Sequence, residues 1–207
     1  MKRALWMILS MLSLSLAGCG DSELAKKVDG TWYAKMSTRD YQGTRYTQDV
    51  KYTFRYVQDD IKDGGTFSEQ ITYPLTEDDG EIEVTCKVTT SIEGEWEIIF
   101  RDLLLTYHLS TLDMEITDVD YEFTDFDAAG EALGVGLFMA MAGVETDLVD
   151  KNKLAEEIRK EIYPDTYDEY KLANNDGDGS YFEDVQVENG TLSFTTSDAG
   201  RVFLKKQ

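Results

Sequence analysis

From Thr31 to Leu109 apolar and polar residues alternate with period two, the signature of strands that bury one face and wet the other. Ile82, Val84, Cys86 and Val88 alternate with Glu81, Glu83, Thr85 and Lys87, which places the Cys86 thiol on an apolar face. Val50, Tyr52, Phe54 and Tyr56 alternate in the same way with Lys51, Thr53 and Arg55. Turn chemistry breaks the pattern at Asp63-Gly64-Gly65, Asp78-Asp79-Gly80, Glu93-Gly94 and Arg101-Asp102. Strands at roughly ten-residue spacing with short turns predict an antiparallel meander that closes on itself or packs as a sandwich.

The texture then changes. Ala128 to Gly143 is rich in Ala, Gly, Leu and Met, and too short to span a bilayer, which takes roughly twenty residues. It predicts a buried helical segment lying close on the sheet, with a membrane-touching loop as the alternative. Leu154, Ile158 and Ile162 recur every fourth residue among charged neighbours, the pattern of an amphipathic helix. Pro164 is expected to end that helix, and Asp165-Thr166-Tyr167-Asp168 to start a further short turn. Strands return at Val185 and Val187, pass through the hairpin signal Asn189-Gly190 to Leu192 and Phe194, and turn again at Ser197 to Gly200 into Val202 to Leu204. The fold expected is mainly β: an antiparallel meander closing as a barrel, with one or two helices inserted before the last strands.

The N-terminus carries an address. Lys2 and Arg3 precede an apolar stretch from Ala4 to Leu16 and a small-residue exit, Ala17-Gly18, which is the zoning of a secretory signal peptide. Leu16-Ala17-Gly18-Cys19 resembles the lipobox of bacterial lipoproteins, which implies cleavage before Cys19 and acylation of its thiol. An ordinary cleaved signal with a spare thiol is the alternative. Residues 1–18 are thus expected to be a lipoprotein signal peptide, 19–27 a lipidated N-terminus and short tether, and 28–207 one domain. The expected partner at this end is a lipid bilayer, held through acylated Cys19 in the cell envelope, on the periplasmic or surface face of a Gram-negative outer membrane. With Cys19 acylated, Cys86 has no partner for an intramolecular disulfide.

Charge narrows the partners. The formal charge of −21 becomes −23 once residues 1–18, with two basic and no acidic residues, are removed. Such a surface repels nucleic acid and gains nothing from an anionic membrane, so lipid must do the anchoring. Short acidic clusters most simply form a solvated face; a cation or a basic partner is the alternative. A monomer is expected.

Gly30-Thr31-Trp32, opening the first strand after a short lead helix, resembles the Gly-x-Trp signature of lipocalins and lipocalin-like families. Gly65-Thr66-Phe67, Gly94-Glu95-Trp96 and Leu103 to Tyr107 resemble later strands of lipocalin-like bacterial lipoproteins. The resemblance implies that Gly30 and Trp32 close one end of a barrel and that Arg201, on the final strand, packs over Trp32. The second lipocalin motif is missing, and three strands, not one, follow the helical region. A barrel of about eight strands either fills with side chains or holds one small ligand. Tyr52, Phe54, Tyr56, Tyr73 and Trp96 fall on apolar faces and are candidates to line a pocket, or plain core; Tyr46 shares this pattern. Glu69 shares the parity of Phe67, Ile71 and Tyr73, so it either faces the interior, where it could bind a ligand, or is turned outward by a bulge.

Asn174, Asp176 and Asp178 have the alternate spacing of the front half of a calcium loop, but Val185 stands where the bidentate Glu belongs, so a polar turn is expected and no metal or cofactor is implied. His108 is the only histidine, which excludes a His-rich metal site, and no serine triad is expected. The expectation is a non-enzymatic, membrane-anchored, lipocalin-like lipoprotein binding a small apolar or amphipathic ligand. The alternative is a filled barrel that docks a protein or glycan partner in the envelope.

Overall fold

The structure, a computed structural model, describes residues 21–39, 45–58, 62–78, 80, 82–123, 150–176, 180–196 and 200–207. The signal segment, Cys19, Ala128 to Gly143, Asp178 and Ser197 to Ala199 lie outside these residues. A short helix, α1, occupies residues 21–28. It is followed by β1 (Gly30–Arg39), β2 (Arg45–Gln58), β3 (Asp63–Asp78), β4 (Ile82–Ile99) and β5 (Asp102–Tyr107). A 3-10 turn at Leu109–Thr111 leads into β6 (Asp113–Phe123), and α2 (Lys151–Asp176) precedes β7 (Tyr181–Glu188), β8 (Thr191–Thr196) and β9 (Gly200–Lys206).

All pairings are antiparallel, and eight strands close in the order β1-β2-β3-β4-β5-β7-β8-β9, with β9 returning to β1. The result is a closed β-barrel, consistent with a lipocalin-like fold, with a helix before the last three strands. The ninth strand, β6, lies outside the ring. β4 is long enough to serve two neighbours on one edge: Gly94 to Ile99 pair with β5, and Ile82 to Ser91 pair with β6. The far halves of β3 and β4 therefore run past the barrel and form a three-stranded extension with β6.

Two expected turns are strand instead. Glu93-Gly94 lies inside β4 and Asp63-Gly64-Gly65 inside β3. These glycines mark close approach of other groups. A Cβ on Gly94 would stand 2.2 Å from the Thr106 carbonyl oxygen and 2.6 Å from the Phe67 ring; one on Gly64 would stand 1.9 Å from the Trp96 carbonyl oxygen. Glycine lets β3, β4 and β5 bend tightly here, with Phe67 covering the gap. The β4–β5 turn falls at Phe100-Arg101, one residue earlier than expected, and both residues take left-handed φ of 53° and 74°. Asn189-Gly190 forms the β7–β8 turn as expected, with φ of 51° and 72°, values that suit these two residue types.

Two apolar clusters result. The larger fills the barrel with Trp32, Phe54, Phe67, Trp96, Leu103, Leu105, Leu192 and Leu204, all nearly or fully buried. The smaller sits on the extension, where Val84, Cys86, Val88 and Met114 pack under Ile158 of α2. The Cys86 thiol is buried there, and burial pushes its pKa up.

Helix α2 joins the two clusters. Leu154, Ile158 and Ile162 cover the extension; Tyr163, Tyr167, Tyr170 and Ala173 cover the barrel. Pro164 does not end the helix, as its lack of an N–H and its ring would favour, but lies within it. Packing of both halves on the same sheet outweighs the local defect, and Thr166 Oγ1 bonds back to the Ile162 carbonyl at 3.0 Å. Residues 21–28 are helical, overlapping the stretch expected to be tether, and Ala25 and Val28 of this helix are fully buried in the barrel end. Burying one such valine stabilises by about 1.5–3 kcal/mol.

Candidate functional site

Among the described residues, a polar cluster centred on Glu69 lies in the barrel interior. Strand β3 keeps regular pairing on both edges through Glu69, which stands opposite Tyr52 on β2 and Ile92 on β4. No bulge turns it out, so its side chain points inward and is 3% exposed. Three phenols converge on it. Tyr170 of α2 donates to Oε1 at 2.5 Å, Tyr107 of β5 donates to Oε2 at 3.3 Å, and Tyr52 also bonds the carboxylate. Tyr170 further bonds the buried Thr90 of β4.

Electrostatics follow from this burial. Desolvation raises the Glu69 pKa, and hydrogen bonds from Tyr170, Tyr52 and Tyr107 oppose the rise without cancelling it. The same burial, beside the same carboxylate, raises the pKa of Tyr52, Tyr107 and Tyr170, so these phenols remain donors. Every buried polar side-chain atom among the described residues has a partner. The cluster therefore acts as a latch between the β-barrel and α2, with Glu69 as its common acceptor.

The six residues expected to line a pocket do not form one wall. Tyr52, Phe54, Glu69 and Trp96 gather in the barrel; Tyr52 stacks on Phe54 at 5.6 Å, and Phe54 meets Trp96 edge-on at 5.5 Å. The Trp96 indole donates to the Thr66 carbonyl at 3.0 Å. Tyr56 packs at the rim of this core, and its backbone N–H donates to Asp29 at 2.8 Å. Tyr73 belongs to the second cluster, where burial raises its pKa to about 12, and its ring lies 6.0 Å from that of Tyr46.

At the α1 end, Trp32 is fully buried, and the cation over its ring is not Arg201. Strand alternation puts Val202 and Leu204 inside, with Lys206 on their side of the strand but exposed at its end, and half-buried Arg201 on the opposite side. Lys206 pairs with Trp32, sets its Nζ 5.2 Å from the ring centre and donates to the Asp29 carbonyl at 3.0 Å. Trp32 Nε1 donates to the Val28 carbonyl at 2.6 Å, so the last turn of α1 is satisfied by the barrel it plugs. Arg201 instead bonds Asp184 at 2.6 Å and Ser193 at 3.0 Å on the outer face. Gly30 opens β1 with φ of 127° beneath Lys206.

The expected polar loop around Asn174 is the end of α2, which continues to Asp176. The Asn174 amide accepts from the Tyr107 N–H and donates to the Tyr107 carbonyl, both at 2.8 Å. It substitutes for a peptide group where β5 has run out of strand partner, since β5 and β7 pair at only two positions. A group so committed is not free to hold an ion, and no metal-binding cluster occurs among the described residues. Replacing Asn174 with alanine is expected to cost about 1–2 kcal/mol, from two lost hydrogen bonds. Hydrogen exchange should then quicken at Tyr107 and along the end of α2; unchanged protection at both would refute this bracing role.

Two shallow depressions, of about 280 and 320 Å³, lie on the outer surface, one between the ends of β3, β4 and β5, the other across the polar faces of β1 to β4. Neither contains the Glu69 cluster. Tyr107, Tyr170 and Thr90 escaped the sequence reading, although Tyr107 continues the alternation of Leu103 and Leu105. Tyr170 follows Tyr163 and Tyr167 at helical spacing, a signal masked by treating Pro164 as a stop. In comparisons with known proteins, no family model matches the chain and no curated protein matches it.

Proposed function

We propose that this chain is a non-catalytic, lipid-tethered module of the bacterial cell envelope whose barrel is a filled scaffold and whose outer surface docks a protein or glycan partner. The observation that carries this reading is the interior: Trp32, Phe54, Phe67, Trp96 and Tyr107 pack against one another, with α1 across one end and the tyrosines of α2 across the other. A barrel of this size holds either side chains or one small ligand. The lipobox-like Leu16 to Cys19 supports the tether, and Asp21 of α1, two positions after Cys19 in the sequence, lies on the barrel end opposite α2.

The Glu69 cluster favours a second reading, that of the ligand-binding barrel. Its Tyr170 comes from α2, so an amphipathic molecule with a donor group could replace that phenol if the helix moved aside. Gentle extraction of the native protein and intact mass spectrometry distinguish the two. The filled-scaffold reading expects an acylated chain with no stoichiometric small molecule, and no saturable change in tryptophan emission on titration with an apolar fluorophore. One small molecule recovered per chain would overturn it in favour of the second. Replacing Cys19 with alanine should move the protein from the membrane to the soluble fraction; persistent membrane association would refute the tether.

A further inference from the structure

We infer that the β4–β5 turn is a membrane-contacting wedge, with Phe100 entering the lipid interface beside the anchor and so holding the α2 end of the barrel away from the bilayer. This rests on the reading that Cys19 is acylated, and goes beyond it by assigning a second lipid contact and an orientation.

Three observations carry it. Phe100 is 75% exposed, the most exposed large apolar side chain among the described residues, and Ile99 beside it is 39% exposed. The turn that presents it is costly: Phe100 and Arg101 both adopt left-handed φ, which side-chain-bearing residues disfavour. The chain places Asn-Gly at the β7–β8 turn, where the same conformation is unstrained, yet spends a phenylalanine and an arginine here.

The turn is also tied to the anchor. The Asp21 carboxylate accepts the Phe100 N–H at 3.0 Å and the Arg101 N–H at 3.1 Å. Asp21 stands two residues after Cys19. Two residues of extended chain span at most about 7 Å, so an acylated Cys19 in the headgroup layer leaves Phe100 beside the bilayer. The remaining ties of α1, from Trp32, Lys206 and the Tyr56 N–H, make the helix rigid with the barrel, so the turn cannot swing away independently. An acidic chain gains nothing electrostatically from an anionic leaflet, whereas an exposed aromatic beside an acyl anchor gains from the interface. Membrane attachment through two signals also fixes a direction, which a flexible lipid tether alone does not.

The test uses the full acylated protein with Cys86→Ala, reconstituted in phosphatidylethanolamine and phosphatidylglycerol vesicles. Phe100→Cys and, separately, Leu172→Cys, an exposed position on α2, carry an environment-sensitive fluorophore. The expected result is a blue-shifted emission at position 100 that spin-labelled lipid quenches several-fold more than emission at position 172, with aqueous iodide showing the reverse order. Equal quenching at both positions on a chain whose mass confirms acylation would overturn the wedge while leaving the anchor intact. A mass showing an unmodified Cys19 would overturn the anchor, and the wedge with it.

Discussion

Truncating Trp32 to alanine is expected to cost the barrel about 3–5 kcal/mol, the range for emptying a buried aromatic site. Trp32 is fully buried, and its removal takes a contact from two groups. The Val28 carbonyl loses its donor, and Lys206 loses the ring beneath its ammonium. Helix α1, fixed at this end by those contacts, should loosen with it. Urea unfolding of the mature chain measures the loss as a lower midpoint at unchanged slope. Trp32→Phe, which keeps most of the ring volume but not the indole donor, should recover much of it. A Trp32→Ala loss below about 1 kcal/mol, well under that expected for a core aromatic, would show that the Gly-x-Trp end is not what closes the barrel.

The second large effect belongs to Glu69. Replacing it with alanine removes the shared acceptor of the Tyr52, Tyr107 and Tyr170 hydroxyls and opens a gap at the centre of the barrel. An unsatisfied buried polar group costs about 1–3 kcal/mol. Relief of the buried charge offsets part of this, so a net loss of about 2–4 kcal/mol is expected. Glu69→Gln has a different signature. Because burial raises the Glu69 pKa in the folded state, the fold binds this proton more tightly than the unfolded chain does. The stabilisation from protonation is complete below the ordinary carboxyl range and is lost as pH rises through the elevated folded value. Acidifying from neutrality toward about pH 5, just above that ordinary range, should therefore stabilise the wild type, and the glutamine variant should show a flatter profile.

Other carboxylates act in a different window. Asp184, held low by its hydrogen bond from Arg201, and Asp49, held low by that from Tyr33, lose their contribution only as pH falls below the usual carboxyl range. Glu169, raised by burial, shifts in the same direction as Glu69, which is why comparison with Glu69→Gln is needed to isolate the cluster. Equal pH slopes in wild type and Glu69→Gln would refute the assignment.

Much of the barrel is legible from local pattern because strand alternation and turn chemistry act within a few residues of each other. The inward parity of Tyr52, Phe54 and Trp96 follows from their neighbours alone, whereas that of Glu69 needed the unbroken pairing of β3 to exclude a bulge, and Asn189-Gly190 encodes its turn by its own backbone preferences. Arg201 shows the limit of a motif: the resemblance pointed to an arginine, whereas the parity of Val202 and Leu204 already excluded it and pointed to Lys206. Gly64 and Gly94 show the limit of punctuation. Glycine marks a turn and a close approach alike, and only the neighbouring strand distinguishes them.

What the sequence by itself determined is the period-two face of each strand, the helix before the last three strands, the buried place of Cys86 and the acidic net charge. What only the tertiary structure decided is long-range. Strand alternation does not say that β4 has two partners on one edge, so the extension and its separate core came with the pairing. Nor does a proline in a periodic segment say whether the segment stops, because that depends on how much apolar surface both halves bury, here on two clusters of the same sheet. The convergence of Tyr52, Tyr107 and Tyr170 on Glu69 joins residues up to 118 positions apart. Such a contact is set by barrel closure and helix docking, which no local spacing encodes.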